Sequence, residues 1–155
     1  MKQINYYILE RLHINKDTGN HHYNYHPKTR DELQELVKKL IKERGNYADL
    51  NDIDTSAITD MTELFYNSDF NGDISEWDVS NVTDMSAMFC ESKFTGENGD
   101  ISDWDVSNVK DMNYMFYSSS FNGDLSNWDV SKVEDMGEMF LQSPLQSNTP
   151  KWYKE

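Results

Sequence analysis

Apolar and polar residues follow one another in a fixed order down this chain. After Asp73, the residues Ile74, Trp77, Val79 and Val82 stand at positions 1, 4, 6 and 9 of one stretch, and Met85, Met88 and Phe89 follow at i, i+3 and i+4. The first spacing matches the L-x-x-L-x-L pattern of a short strand with its apolar members facing inward. The second predicts one or two short helical turns with a buried side. Phe94 turns inward again before Thr95 and Gly96 open the next loop. Compact versions of that loop, Phe70-Asn71-Gly72-Asp73 and Phe121-Asn122-Gly123-Asp124, carry an Asn-Gly turn signal, because both residues accept positive φ.

The unit recurs. Trp77-Asp78-Val79-Ser80 returns as Trp104-Asp105-Val106-Ser107 and as Trp128-Asp129-Val130-Ser131, each followed by Asp-Met-x-x-Met-Phe at Asp84–Phe89, Asp111–Phe116 and Asp135–Phe140. A weaker copy precedes them, Ile53-Asp54-Thr55-Ser56 with Asp60–Phe65. The four Asp-Met steps lie 24, 27 and 24 residues apart, the longer step matching three extra residues between Phe94 and Asp100. Such a loop insertion costs little. A period of this size marks a solenoid whose units share one core. Stacking then predicts columns: Ile53 with Trp77, Trp104 and Trp128; Phe65 with Phe89, Phe116 and Phe140; Phe70 with Phe94, Phe121 and Leu145. Rings that recur in register read as core.

The first 46 residues do not repeat. Tyr6-Tyr7-Ile8-Leu9 with Leu12-His13-Ile14 reads as a strand, Lys16 to Asn20 as a turn, and His21 to His26 as a returning strand. Thr29-x-x-Glu32 is a capping box, and Leu33, Leu36, Val37, Leu40 and Ile41 form an apolar stripe at helical spacing up to Gly45. At the other end Trp152 falls in the Trp128 column, with Pro144 and Pro150 discouraging further pairing. The expected fold is therefore an α/β solenoid, a short leucine-rich-repeat-like array of strand plus short helix units with an N-terminal ββα cap. Its parts are a capping module over residues 1–46, four repeats over 47–146 and a closing half-repeat over 147–155. Caps keep the open ends of such arrays soluble.

Charge narrows the partners. Residues 1–45 hold nine Lys/Arg and six Asp/Glu, a balance of +3, whereas residues 46–155 hold five and twenty-two, a balance of −17. Such a surface repels nucleic acid and anionic lipid and steers toward basic proteins. No apolar run reaches the ~20 residues of a membrane span, and residues 1–5 lead into polar sequence without the apolar core of a secretory signal. A cytoplasmic, monomeric protein is expected. Cys90, the single cysteine, rules out intrachain disulfides and a cysteine-based zinc site.

Three Asp positions recur: Asp73, Asp100 and Asp124; Asp54, Asp78, Asp105 and Asp129; Asp60, Asp84, Asp111 and Asp135. Ladders of like charge destabilise a sheet, so something must offset them. Capping of backbone N–H groups is one answer. Calcium is another, although Asp69-x-Asn71-x-Asp73 is followed by Ile74 and has Ser80 at the twelfth place of the loop, so the EF-hand pattern fails. A ladder that faces a partner is the third. His21, His22 and His26 read as an ordinary polar strand more readily than as a metal site, and no metal or cofactor is expected.

The run from Asn71 to Phe89 matches Asn-Gly-Asp-Ile-Ser-x-Trp-Asp-Val-Ser-Asn-Val-x-Asp-Met-x-x-Met-Phe without a gap. In this the chain resembles the BspA-type leucine-rich-repeat family of bacterial proteins, over roughly residues 47–155. The resemblance implies a repeat scaffold, often on cell surfaces, used for adhesion or protein binding, with no catalytic residues.

The leading expectation is a non-enzymatic protein-protein interaction module with an acidic repeat surface. Candidate partner-binding residues are those that vary between copies, with the acidic column beside them: Glu76, Asp103 and Asn127; Asp78, Asp105 and Asp129; Asn81, Asn108 and Lys132; Tyr114 and Tyr117. The alternative is an intracellular, phage-type acidic inhibitor that blocks a basic nucleic-acid-binding site of a host enzyme. No phosphate loop or Ser/His/Asp pattern points to an enzyme.

Overall fold

The computed structural model describes residues 22–154. Its core is built from a five-residue module that recurs twelve times, beginning at Asp49, Asp54, Asp60, Asp73, Asp78, Asp84, Asp100, Asp105, Asp111, Asp124, Asp129 and Asp135. Each module reads Asp, an inward residue (apolar in all but Thr55), a small or amide residue, a variable residue, and a second apolar residue, as in Asp78-Val79-Ser80-Asn81-Val82. The Asp Oδ1 accepts the N–H of the third residue at 2.8–3.1 Å throughout. The fifth residue's N–H closes a β-turn onto the carbonyl of the second, as from Trp77 to Ile74 at 3.2 Å and from Val82 to Val79 at 2.9 Å. Both turn-closing side chains therefore face inward and the variable one stands at the turn's outer corner. Three modules make one coil, and four coils stack.

This corrects the expected α/β solenoid of strand and helix units. Among the described residues there is no β-strand, and no α-helix within the repeats; isolated parallel bridges join Asp60, Asp84, Asp111 and Asp135 of successive coils. The physical reason is visible between Met61 and Ser68. The N–H groups of Met61, Glu63, Phe65 and Asn67 donate to Asp84, Ser86, Met88 and Cys90 of the next coil, while those of Leu64, Tyr66 and Ser68 fold back three residues within their own coil. Alternate amides thus serve stacking and turning, which satisfies the backbone without a strand or a helix. Glu63, Ala87, Tyr114 and Glu138 take φ of 51–55°, and Asn67, Glu91, Ser118 and Gln142 take 48–61°, so each coil reverses at two left-handed corners.

That geometry sets the sign of one substitution. In a helix Ala→Gly loses about 1 kcal/mol. At Ala87 the left-handed backbone penalises any Cβ by more than glycine's extra freedom in the unfolded chain offsets, so Ala87→Gly should gain about 0.5 kcal/mol. Urea denaturation reads the difference, and a loss near 1 kcal/mol would contradict the turn geometry.

The columns form as expected. Phe65, Phe89, Phe116 and Phe140 stack with centroids 5.4, 5.5 and 5.9 Å apart and planes within 4°. Phe70, Phe94 and Phe121 run beside them. Trp77, Trp104, Trp128 and Trp152 each donate an indole N–H to the preceding coil, at Leu50, Ile74, Ile101 and Leu125, over 2.8–3.3 Å. These bonds let indoles sit in an otherwise apolar column.

Among the described residues one α-helix, α1 (Arg30–Arg44), precedes the coils. Thr29 Oγ1 accepts the Glu32 N–H at 3.2 Å, and Glu32 reaches back to the Lys28 N–H at 2.7 Å, one residue earlier than a standard capping box. Leu33, Val37 and Leu40 are buried, Leu36 and Ile41 pack at the edge, and Gly45 ends the helix at φ 91°. The first expected strand lies outside the described residues. Of the second, residues 22–26 form only a bridge from Tyr25 to Ile53, so the described part of the expected ββα cap is a bridge and a helix. Arg44 pairs with both oxygens of Asp52 at 2.9 Å, which ties the end of α1 to the first coil. At the C-terminal end Pro144 takes the place of Lys93 and Ser120, whose N–H groups bond back to Ser68 and Ser92. Proline offers none, and a 3-10 turn, Pro144–Ser147, replaces that pairing.

Candidate interaction surface

The variable fourth residues of the modules stack into three outer columns. One holds Asp52, Glu76, Asp103 and Asn127; the next Ala57, Asn81, Asn108 and Lys132; the third Glu63, Ala87, Tyr114 and Glu138. Seven of the sequence-derived candidates fall here, at corners, because a turn's third position projects outward. Glu76, Asp103 and Asn127 are exposed.

The second column is largely spent on stacking. Asn81 and Asn108 donate side-chain N–H bonds to the Ser56 and Ser80 carbonyls of the preceding coil, at 2.8 and 2.7 Å, and Lys132 reaches Asn108 Oδ1 at 2.7 Å. Their amides clamp neighbouring coils. Asp78, Asp105 and Asp129 form an exposed carboxylate row alongside. Each Oδ1 takes its serine's backbone N–H, and Ser80 and Ser107 add their hydroxyls. The serine bonds, from side chain first and backbone second, hold Asp105 and Asp129 below the ordinary carboxylate pKa. Those carboxylates keep their charge and one fixed orientation.

The third column joins an aromatic strip. Tyr66 and Tyr114 are exposed, Tyr117 is half-buried, and the Tyr114 and Tyr117 rings meet edge to face at 5.6 Å. Glu91 beside Tyr66 and Glu138 beside Tyr114 push both phenols upward in pKa. Sequence reasoning found Tyr114 and Tyr117 but missed Glu63 and Tyr66, which share their columns in the first coil, and Glu91, which stands one residue past the Tyr117 column. Aligning all four copies by module reveals them.

The inner Asp ladder bears the cost of its own charge. Burial first, then Asp84 and Asp135, hold the Asp111 carboxyl above its ordinary 3.8 against the lowering effect of the Asn113 N–H. The charged form is thus disfavoured on folding, so its penalty is absent below the unfolded value and grows as pH rises through the folded one. Asp111→Asn keeps an acceptor for Asn113 and removes the charge. It should raise stability by about 0.5 kcal/mol at pH 7, with the gain fading toward pH 3. Paired thermal melts at the two pH values check this; an equal gain at both would exclude the ladder as its source. Asp54 behaves oppositely, since Ser56 and then His26 hold it down to about 2. Its contribution is present above 3.8 and is lost as pH falls through about 2.

Among the described residues, no three His, Cys, Asp or Glu side chains are grouped to hold a metal ion. His21 lies outside them, His22 is exposed, and His26 Nδ1 meets Asp54 at 3.0 Å. Cys90 is buried, and burial, then Glu91 and Glu63, push its thiol pKa up, away from the reactive thiolate. Among the described residues no helix is long and apolar enough to cross a membrane.

These features define a protein of stacked five-residue turns with an acidic, partly aromatic exterior. The chain belongs to the family described as Mycoplasma protein of unknown function, DUF285, which it matches over residues 32–152. That span runs from the first turn of α1 through all twelve modules to Trp152. No curated protein and no solved structure matches the chain.

Proposed function

We propose that this protein is a non-enzymatic binding module whose acidic repeat surface takes a protein partner with a basic surface. The observation that carries the reading is the row of Asp78, Asp105 and Asp129, exposed and oriented in three successive coils by the same bond from a serine backbone N–H. The balance of −17 over residues 46–155 extends the same sign around it. A rigid, periodic row of carboxylates gives electrostatic complementarity without ordering entropy at binding. The match of Asn71 to Phe89 to the BspA-type repeat motif supports a binding role. Glu76 and Asp103 flank the row; Tyr114 and Tyr117 lie on the third column's strip and supply aromatic contact area.

The test keeps the fold and removes the charge. The triple variant Asp78→Asn, Asp105→Asn, Asp129→Asn retains the oxygen that caps each serine. Proteins captured from the native host by the unaltered chain at low salt should be lost with the variant and lost again at high salt. Capture of the same proteins by both chains at all salt concentrations would sink the reading. A captured nuclease or other enzyme with a basic nucleic-acid channel would select the inhibitor form of it.

A further inference from the structure

The ladder between coils has a direction, and its last rung is open. The N–H groups of Met112, Tyr114, Phe116 and Ser118 donate to Asp135, Gly137, Met139 and Leu141 at 2.8–2.9 Å. In the last coil the equivalent donors belong to Met136, Glu138, Phe140 and Gln142. Gln146 Oε1 accepts from the Gln142 N–H at 2.8 Å. The N–H groups of Met136, Glu138 and Phe140 meet no acceptor among the described residues. Their carbonyls, by contrast, are engaged by the N–H groups of Met139, Leu141 and Ser143. The edge is therefore a row of donors at alternate residues.

The surface beside it is apolar. Phe140, Leu141 and Tyr153 line an open depression of about 340 Å³. Val130, Val133 and Met136 are only half-buried, although Val106, Val109 and Met112 one coil earlier are at most 1 % exposed. Trp152 and Tyr153 pack on Phe140 at 6.1 and 5.0 Å, and Trp152 completes the indole column, so one part of the end is closed and the turn ladder is not. An unpaired amide next to so dry a core favours any acceptor that reaches it.

We propose that this end of the stack binds an extended segment of a partner protein. Alternate carbonyls of that segment accept from Met136, Glu138 and Phe140, and one apolar side chain enters the depression. Main-chain pairing supplies affinity and the depression supplies selectivity, as in strand addition to a sheet edge. A second copy of this chain does not fit. Two such ends facing each other would set donors against donors. Head-to-tail stacking is hindered by α1, whose Leu33, Val37 and Leu40 are buried and whose Arg30 Nε–H already donates to the Thr62 carbonyl at 2.8 Å. Exposed Glu134, Asp135 and Glu138 border the edge, so the segment carries Lys or Arg beside its apolar residue.

A peptide of residues 109–119 bearing Asp111→Lys is a suitable probe. In the intact chain the carbonyls of Asp111, Asn113, Met115 and Tyr117 already accept from Met85, Ala87, Phe89 and Glu91 in this register. On titration into the 15N-labelled full chain, the Met136, Glu138 and Phe140 amide resonances should shift and their hydrogen exchange should slow about tenfold or more. A scrambled peptide should do neither. Leu141→Asp, at the half-buried rim, should weaken the peptide about tenfold. Asp78→Asn should leave it unchanged, which separates this surface from the carboxylate row. The proposal is overturned if millimolar peptide leaves the three amides unmoved. It is equally overturned if they become protected with rising protein concentration alone, which would assign the edge to a second copy.

Discussion

Phe116→Ala should destabilise the protein by about 3–5 kcal/mol, lowering the melting temperature by roughly 10 °C or more. Phe116 is wholly buried and touches rings in every direction: Phe89 at 5.5 Å and Phe140 at 5.9 Å along its column, Phe121 at 4.5 Å beside it, and Trp128 at 6.4 Å. Its neighbours cannot collapse into the void, because their backbones are pinned by the ladder from Phe116 to Met139 and from Phe89 to Met115, both 2.9 Å. The cavity is therefore retained, and a retained cavity adds its own cost to the lost transfer energy. Tyr114→Ala, two residues away at an exposed corner, should change stability by no more than about 0.5 kcal/mol. Guanidinium denaturation of both variants checks the contrast. A loss under about 1 kcal/mol for Phe116→Ala would mean that the column is not the core.

Gly72→Ala should cost on the order of 3 kcal/mol. A Cβ there would overlap the Ala48 carbonyl oxygen and would meet a Phe70 ring carbon at 2.7 Å and the Ala48 nitrogen at 2.9 Å. Ala48 cannot retreat, since its carbonyl accepts the Asp73 N–H at 2.9 Å. Backbone thus lies on backbone, and relief means parting the first coil from the segment that follows α1. Gly137 provides the counter-example. A Cβ on it meets only Asp135 Oδ1, at 3.2 Å, and its column elsewhere carries Thr62, Ser86 and Asn113. Gly137→Ser should restore the module's usual hydroxyl and gain about 0.5 kcal/mol. Equal losses at the two glycines would argue that turn propensity, and not close approach, selects Gly72.

The asymmetry between those glycines shows how the sequence misleads locally. Asn71-Gly72 reads as a turn that needs positive φ, yet neither residue is left-handed; the left-handed residues include Ala87, Tyr114 and Glu138, which no propensity would nominate. Ladder bonds on alternate amides hold those corners and outweigh a local cost of about 1 kcal/mol each. The i, i+3 spacing of Met85 and Met88 misleads in the same way. It fits one helical turn and one β-turn equally, and only the partner of each N–H distinguishes them. The three Asp columns were visible, but their common sense as the first residue of one five-residue module was not, because the module's second and fifth residues change from Ile and Trp to Val and Val to Met and Met.

The candidate surface was legible in the same partial way. Variation between copies located Glu76, Asp103, Asn127, Tyr114 and Tyr117 at outer positions, since core columns repeat. It could not show that Asn81 and Asn108, equally polar, direct their amides into the stack at 2.8 and 2.7 Å. Nor could it show an open ladder edge, because a backbone N–H carries no sequence signal of its own partner.

By itself the sequence determined the period, the register of the Trp and Phe columns, the capped helix and the sign of the surface. Each depends on side-chain identity repeated at fixed intervals, and burial acts on side chains. Only the tertiary structure decided that the coils are made of turns, not of strands and helices, and which outer side chains are already engaged. Those outcomes depend on where each backbone amide finds its acceptor, one coil away, and that choice is settled by stacking.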